Sequence, residues 1–477
     1  MKLLATFAVF TLFAVATCRR SAEEWKDRVI YQILTDRFAA PGSASWSSCG
    51  DLRGYCNGNF RGIIEQLDYI AGMGFNAIWI SPLPQHTEGD YHGYSAIDMY
   101  TISWHWGTEK DFNDLVAAAH ARDIWIMVDV VANHMGIGDV STYIPFDKTE
   151  HYHEYCEIHD WNDAWQVENC WLFGLPDLAQ ENQYVDNELC YWIDWLLKTY
   201  DIDGIRIDTV SHVPKWFWEK FKAAANVYDV GEIYTSDLGK IQYYIPPMDA
   251  ALNYPFYWTM KDVLIWGKSM RDLANKYNEM KARFGATMHV MGTFADNHDQ
   301  ARFLCDRNSW TLLKNYVMLV LTMEGIPIVY YGTEQGYTGC ADPNNRESLY
   351  PNYNTDHHLY WFIATTNYWR GVLGTSFTAA DQVERWIDDD FYSFTRGDAM
   401  MCATKIGEFG NLSRRVSYHN YPIGTVLVNI YNTNDRVTVQ SYGIDISITG
   451  GEPKLYLPQS YISANAANAP AQHVASE

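Results

Sequence analysis

Three acidic residues stand at the ends of predicted strands in this chain, where a carboxylate could do chemistry: Asp208, Glu232 and Asp299. Asp208 lies in GIRIDTVSH (204–212), with Arg206 two residues before it and His212 four after. Ile205, Ile207 and Val210 leave no clean polar alternation, so the segment reads as a buried parallel strand. A period of two puts Arg206 and Asp208 on one face. Burying a carboxylate costs free energy unless a cation or hydrogen bonds keep it ionised. Taken alone, the segment fits either a structural ion pair or an anionic nucleophile held deprotonated by its neighbour. A pair of carboxylates is what glycosidic cleavage needs. One attacks the anomeric carbon; the other protonates the leaving oxygen and then activates water. A third can stabilise oxocarbenium-like charge. Carboxylate-rich strand ends also occur in metal-dependent barrels, so position alone leaves both readings open.

The elements that must position these residues alternate in kind from about residue 29 to 385. Strands are predicted over 29–36, 76–81, 125–131, 204–210, 228–234, 250–254, 290–296 and 327–332. Helices are predicted between them, for example over 61–74, 109–123 and 213–226, with Ile63, Leu67 and Ile70 at helical spacing. Eight strands alternating with helices give an α/β class chain, a (β/α)8 TIM barrel, whose active site lies at the C-terminal strand ends. From Asn133 to Leu178 the chain is polar, aromatic and Cys-bearing, with little periodicity. That length of loop marks an inserted subdomain after strand 3. The barrel is therefore expected in two parts, 21–132 and 179–384, around an insert at 133–178. Alternating strands without helices over 385–458 predict a C-terminal all-β sandwich domain. The Ala-, Asn- and Ser-rich residues 459–477 read as a disordered tail.

The chain has 477 residues and a formal charge of −23. That acidity excludes nucleic acid and anionic membrane surfaces as partners and fits a neutral substrate. Residues 1–20 read as a signal peptide: Lys2, an apolar run from Leu3 to Ala16, and small residues at Ala14 and Ala16. Cleavage after Ala16, Cys18 or the Arg19-Arg20 pair fits the pattern equally. The product is expected to be extracellular and monomeric, without a membrane span; the apolar stretch from Tyr316 to Met323 reads as a buried helix. Secretion permits disulfides. Cys49–Cys56 would close a small loop and Cys156–Cys170 a longer one, although sequence does not fix pairing. Asn411-Leu-Ser is an N-glycosylation sequon.

Read together, DVVANH (129–134), GIRIDTVSH (204–212), GEIY (231–234) and FADNHD (294–299) resemble, in this order, the four diagnostic regions of the α-amylase family of glycoside hydrolases. LPDL (175–178) is similar to its fifth region, and YHGY (91–94) and DPNNR (342–346) resemble segments of fungal-type secreted α-amylases. The resemblance implies Asp208 as nucleophile, Glu232 as acid/base with a raised pKa, Asp299 as transition-state stabiliser and Arg206 as the partner of Asp208. It implies that His134, His212 and His298 bind sugar hydroxyls, that Tyr94 stacks on a sugar ring, and that His92, Asp342 and Arg346 make further contacts. It further implies a structural Ca²⁺ joining barrel to insert, at Asn133, Glu168, Asp177 and the backbone carbonyl of His212, a set of oxygens that suits this cation. The implied activity is endo-hydrolysis of α-1,4-glucans such as starch or malto-oligosaccharides, with retention.

Some residues depart from the family pattern. Ser211 stands where Lys is frequent, Ser95 where an aromatic follows YHGY, and Asp296 where Glu is common. Ser211 and Ser95 bear on product pattern, which keeps a glucanosyltransferase as the alternative. A non-catalytic glucan-binding protein is the reading from another class, and the presence of all three carboxylates argues against it. A loop Cys after the fifth strand is absent; Cys305 and Cys340, on the loops after the seventh and eighth strands, are placed to pair, with Cys190 and Cys402 unassigned.

Overall fold

The computed structural model describes residues 19–465 and 467–470. Eight short parallel strands form the central sheet: β1 (Ile30–Gln32), β2 (Ala77–Ile80), β3 (Trp125–Val130), β4 (Gly204–Ile207), β5 (Tyr228–Gly231), β6 (Ala250–Ala251), β7 (Gly292–Phe294) and β8 (Ile326–Tyr330). Their order is β6-β5-β4-β3-β2-β1-β8-β7. The remaining seam is joined by a parallel bridge between Leu252 and Gly292, with Asn253 N–H donating to the Gly292 carbonyl at 2.8 Å. All eight predicted strands are present, seven inside their predicted ranges and the eighth, Ile326–Tyr330, starting one residue before its own. Gly292 lets the chains approach closely at this seam: a Cβ there would lie 2.9 Å from Ile328 Cδ1 and 3.0 Å from Leu252 Cδ2, and those side chains would have to shift.

Strand residues such as Ile78, Ile80, Ile126, Val128, Ile205 and Val230 are fully buried, as a sheet covered on both faces requires. The helix Gln183–Tyr200 delivers the chain to β4. It is capped by the Asn182 side chain and ended by Asp201 in the left-handed region. The apolar stretch around Tyr316–Met323 lies in the buried helix Trp310–Thr322. The helix predicted over 61–74 is two, Phe60–Glu65 and Leu67–Gly72, broken at Gln66.

After β2 an antiparallel hairpin, Pro84–His86 with Ala96–Ile102, raises the 87–95 loop over the barrel. After β3 the chain runs through turns and one short helix, Ala164–Asn169. Cys156–Cys170 pins this segment (Cα–Cα 4.8 Å), and bridges His134–Asp177 and Tyr152–Leu178 tie it to itself. Cys49–Cys56 and Cys305–Cys340 are also bonded, with Cα–Cα separations of 5.6 and 5.2 Å, while Cys190 and Cys402 are free thiols.

Beyond the barrel lie a six-stranded antiparallel sheet beginning at Val383 and a two-stranded sheet, Asn411–Val416 with Ile444–Thr449. Period-two alternation divides the large sheet's labour. Phe391, Met400, Cys402 and Tyr456 build a separate apolar core, whereas Tyr392, Phe394, Met401, Leu455 and Leu457 pack onto the barrel's core. The tail expectation needs correction. Gln459–Asn465 is a helix, held because Tyr461 hydroxyl donates to Asp398 and Tyr368 hydroxyl to the Asn465 carbonyl. Two aromatic anchors thus order a segment whose composition looks polar. Of the residues 1–20 expected to form a signal peptide, the first eighteen lie outside the described residues. Arg19 pairs with Asp194 and donates to two carbonyls, Ala224 and Ala225, at a helix end; the Arg20 carbonyl accepts from Tyr228 N–H. Among the described residues no helix is long and apolar enough to cross a membrane.

Candidate active site

The site is built on one cation. Arg206 lies on β4, two residues before Asp208, and the β3–β4 register sets Asp129 directly beside it. Its Nη1 reaches Asp129 (2.9 Å) and Asp208 (2.6 Å), and its Nη2 reaches Glu232 at the end of β5 (3.0 Å). The guanidinium is 1% exposed and Asp129 is fully buried. Burial works against the Arg206 charge, but Asp129, Glu232 and Asp208 outweigh it and hold its pKa above the ordinary value. Three carboxylates share one full positive charge, so the cluster favours retaining a proton. Burial pushes the Glu232 carboxyl up from its ordinary 4.5 to about 8, Arg206 opposing and Asp208 and Asp299 adding to the rise. Thr209, in the left-handed region, aims its backbone N–H at Glu232 Oε2 (3.1 Å) and so fixes the carboxyl's orientation.

A second network orients the third carboxylate. Gln32 Nε2 lies 2.7 Å from His298 Nδ1 and has only hydrogens to offer there, so the neutral ring carries its proton on Nε2. That Nε2 faces the Tyr94 hydroxyl (2.9 Å) and Asp299 (3.2 Å), and Tyr94 donates onward to Asp129 (2.7 Å). Burial, then Arg346 and Arg206, hold His298 well below its usual pKa. Arg346 grips Asp299 Oδ1 (3.2 Å), the His298 carbonyl (2.9 Å) and Asp342 (3.3 Å). Arg346 therefore positions Asp299, which at 36% side-chain exposure faces the open cleft. Tyr94 stacks on His298 at 5.4 Å and 10°, and the His92 ring lies 5.5 Å from it, tilted by 41°. His92 pairs with Asp90 (2.6 Å), and Asp90 also accepts from Ser95 N–H, which closes the 87–95 loop.

His134 and His212 lie where barrel meets insert. His212 Nδ1 donates to the Val167 carbonyl (3.1 Å), and burial lowers its pKa to about 4, so Nε2 is a bare acceptor. His134 Nε2 must donate to the Tyr94 carbonyl (3.1 Å), and burial lowers this histidine as well. A neutral His134 therefore accepts at Nδ1, from Asn133 Nδ2 at 3.1 Å. That orientation turns Asn133 Oδ1 toward the His212 carbonyl (2.9 Å) and Asp177 Oδ1 (3.2 Å). Swapping the amide would relieve the oxygens only by requiring a proton on His134 Nδ1, a cation that burial disfavours. Three oxygens converge there, from an amide, a backbone carbonyl and a carboxyl whose other oxygen lies 2.6 Å from His153 Nδ1; this is the composition of a hard-cation site. The Glu168 carboxylate turns instead to the Tyr244 hydroxyl (3.0 Å), although its helix packs against the 210–212 turn.

Among the described residues, one other acidic cluster is a candidate cation site: His289, Glu324 and Asp381 near the N-terminal strand ends. Lys281 already supplies its cation, with Nζ at 2.8 Å from Glu324 and 2.6 Å from Asp381.

The sequence reading did not single out Asp129, Trp79, Gln32 or Tyr91. Trp79 Nε1 donates to Asp129 (3.1 Å), and Tyr91 bridges Asp342 and Arg346. Asp129 carried a legible signal, an acid inside the apolar run WIMVDVV, the same argument that picked out Asp208. Trp161 was missed too; it meets His212 edge-on at 6.1 Å.

Residues 32–358 match the family model described as alpha amylase, catalytic domain. The chain is 34% identical to alpha-amylase 1 of Schwanniomyces occidentalis over 95% of its own length and 94% of that protein. It is 40% identical to a beta/alpha-amylase of Paenibacillus polymyxa over 91% of its length, but spans only 38% of that longer protein. Among solved structures, an alpha-amylase from Malbranchea cinnamomea superposes with a TM-score of 0.89 at 36% identity, covering 93% of this chain and 98% of the other.

Proposed function

Since this chain belongs to the α-amylase family of glycoside hydrolases, we propose that it is a secreted enzyme cleaving internal α-1,4 bonds of starch-type glucans with retention. The observation carrying this reading is Asp208 and Glu232 on one buried guanidinium, with Glu232 raised to about 8. At neutral pH Glu232 is then the acid. Its proton passes to the leaving glycosidic oxygen while Asp208 Oδ attacks the anomeric carbon and forms a glycosyl ester. Glu232, now a carboxylate, takes a proton from water, and that water's oxygen displaces Asp208. Arg206 stays paired with the carboxylates through both steps and disperses the charge that moves between them. Asp299, fixed by Arg346 and His298, accepts hydrogen bonds from sugar hydroxyls and faces the developing positive ring. The bare Nε2 of His212 accepts from a hydroxyl, and Tyr94 packs a sugar ring.

Asn133, Asp177 and the His212 carbonyl would hold Ca²⁺, whose double charge neutralises the converging oxygens and ties insert to barrel. The cation takes no part in bond cleavage. Reducing-sugar release from soluble starch by wild type and Glu232→Gln tests the assignment; equal rates would overturn it. Maltoheptaose as sole substrate separates hydrolysis from transfer, since products longer than seven glucoses would replace the hydrolytic reading.

A further inference from the structure

Outside the catalytic cleft, the turn Ser103–Trp106 that follows the hairpin presents an unusual stack. The Trp104 and His105 rings are 3.5 Å apart, and the Tyr55 ring covers the opposite face of His105 at 3.7 Å and 17°. His105 is sandwiched and its Nε2 lies 3.3 Å from Glu88. Trp104 is 63% exposed, its outer side open to solvent. The backbone beneath is pinned. Ser103 N–H donates to the Leu83 carbonyl (2.9 Å), Phe60 N–H to the Trp106 carbonyl (3.0 Å) and the buried Trp106 indole to the Pro82 carbonyl (2.9 Å).

Four other exposed rings, Trp216, Tyr243, Tyr418 and Tyr442, each carry a Lys or Arg over the ring. Trp165 and Trp266, each 64% exposed, carry none, but among the described residues neither has a ring stacked behind it as Trp104 has. Among the described residues no cation lies over Trp104. An indole held rigid from behind and left bare in front has lost its side-chain entropy already, so a flat apolar face can bind it at little further cost. Glu88 and Gln85 stand at the edge of the same stack, and Gln85 Oε1 accepts from Trp104 N–H (3.2 Å). Carboxylate and amide beside a bare indole suit a neutral, hydroxyl-rich ligand with apolar ring faces, which describes a pyranose chain. The stack also continues toward the site. His86 lies 5.8 Å from His105, and its hairpin carries the 87–95 loop with His92 and Tyr94.

We propose that Trp104, backed by His105 and Tyr55, is an accessory glucan-binding subsite that engages chains too long for the catalytic cleft alone. It rests on the reading of the cleft as a glucan hydrolase and adds a determinant of chain-length preference. The test compares Trp104→Ala with wild type on amylose and on maltotriose. The expected result is a KM for amylose raised about 5- to 10-fold with kcat unchanged, the loss of roughly 1–1.4 kcal/mol of ring contact. For maltotriose kcat/KM should stay within about twofold. An unchanged amylose KM, or equal losses on both substrates, would overturn the subsite. Wild type that cleaves neither substrate would instead overturn the hydrolase reading. Should Trp104→Ala not fold, Trp104→Leu keeps apolar bulk on His105 without the flat face and carries the same expectation.

Discussion

The two ends of the barrel each set acidic side chains around basic ones, and they do opposite things. At the N-terminal end, Lys281 and His289 meet two carboxylates, Glu324 and the partly exposed Asp381. Glu324 also accepts from Tyr277 hydroxyl (2.5 Å) and Gln382 N–H (2.6 Å). Its charge is met on every side. At the C-terminal end, Arg206 serves three carboxylates, of which Asp129 and Glu232 are both raised by burial. The excess acid there has no second cation, and a proton takes that place. Charge balance makes a structural clamp; deliberate imbalance makes an acid catalyst.

The comparison can be broken most severely at its chemistry. Asp208→Asn and Glu232→Gln should each lower kcat on soluble starch by about 10³-fold or more while leaving the far-UV spectrum intact. Arg206→Met leaves three buried carboxylates without a cation, and should cost about 3–5 kcal/mol of stability as well as activity. A denaturant titration showing less than about 1 kcal/mol would refute the shared-cation account.

Proton linkage gives a finer test. Between its unfolded value near 4.5 and its folded value of about 8, Glu232 is protonated in the folded protein and ionised in the unfolded chain. The unfolded state therefore binds fewer protons, and this group's contribution to stability falls as pH rises through that window. Glu232→Gln should accordingly gain in Tm relative to wild type from pH 5 to pH 8, and wild-type kcat/KM should fall on the alkaline side near pH 8. A Tm difference that is flat with pH would remove the raised acid. Chelation comes next in size: excess EDTA should lower Tm by several degrees, with recovery on adding Ca²⁺. Asp177→Asn should abolish that response. The smallest effect belongs to the balanced end. Lys281→Met should cost about 1 kcal/mol and leave kcat on starch unchanged; a large loss of activity would show that the two ends are coupled.

Much of this was legible in the residues. Short apolar runs, most of them β-branched, set the eight strands, because a parallel sheet buried on both faces tolerates little else; Ala250–Ala251 is the exception without a β-branched residue. Strand periodicity alone put Arg206 beside Asp208, and Glu232 and Asp299 were marked by standing where such runs end. Where local pattern carried less information, the reading fell short. The 61–74 helix breaks at Gln66, and Gln459–Asn465, read as the start of a disordered tail, is a helix because Tyr461 and Tyr368 find partners far away in sequence.

What the sequence by itself determined was therefore whatever one strand or one turn imposes: element type, the face a side chain occupies, and which acids terminate strands. Only the tertiary structure decided how many charges Arg206 must serve. That number depends on the β3–β4 register bringing Asp129 alongside and on β5 delivering Glu232. It also decided that Asn133, Asp177 and His212 turn oxygens toward one point, and that Trp104 alone of its stack faces water. Register and closure are set by the whole barrel packing at once, so no local window contains them.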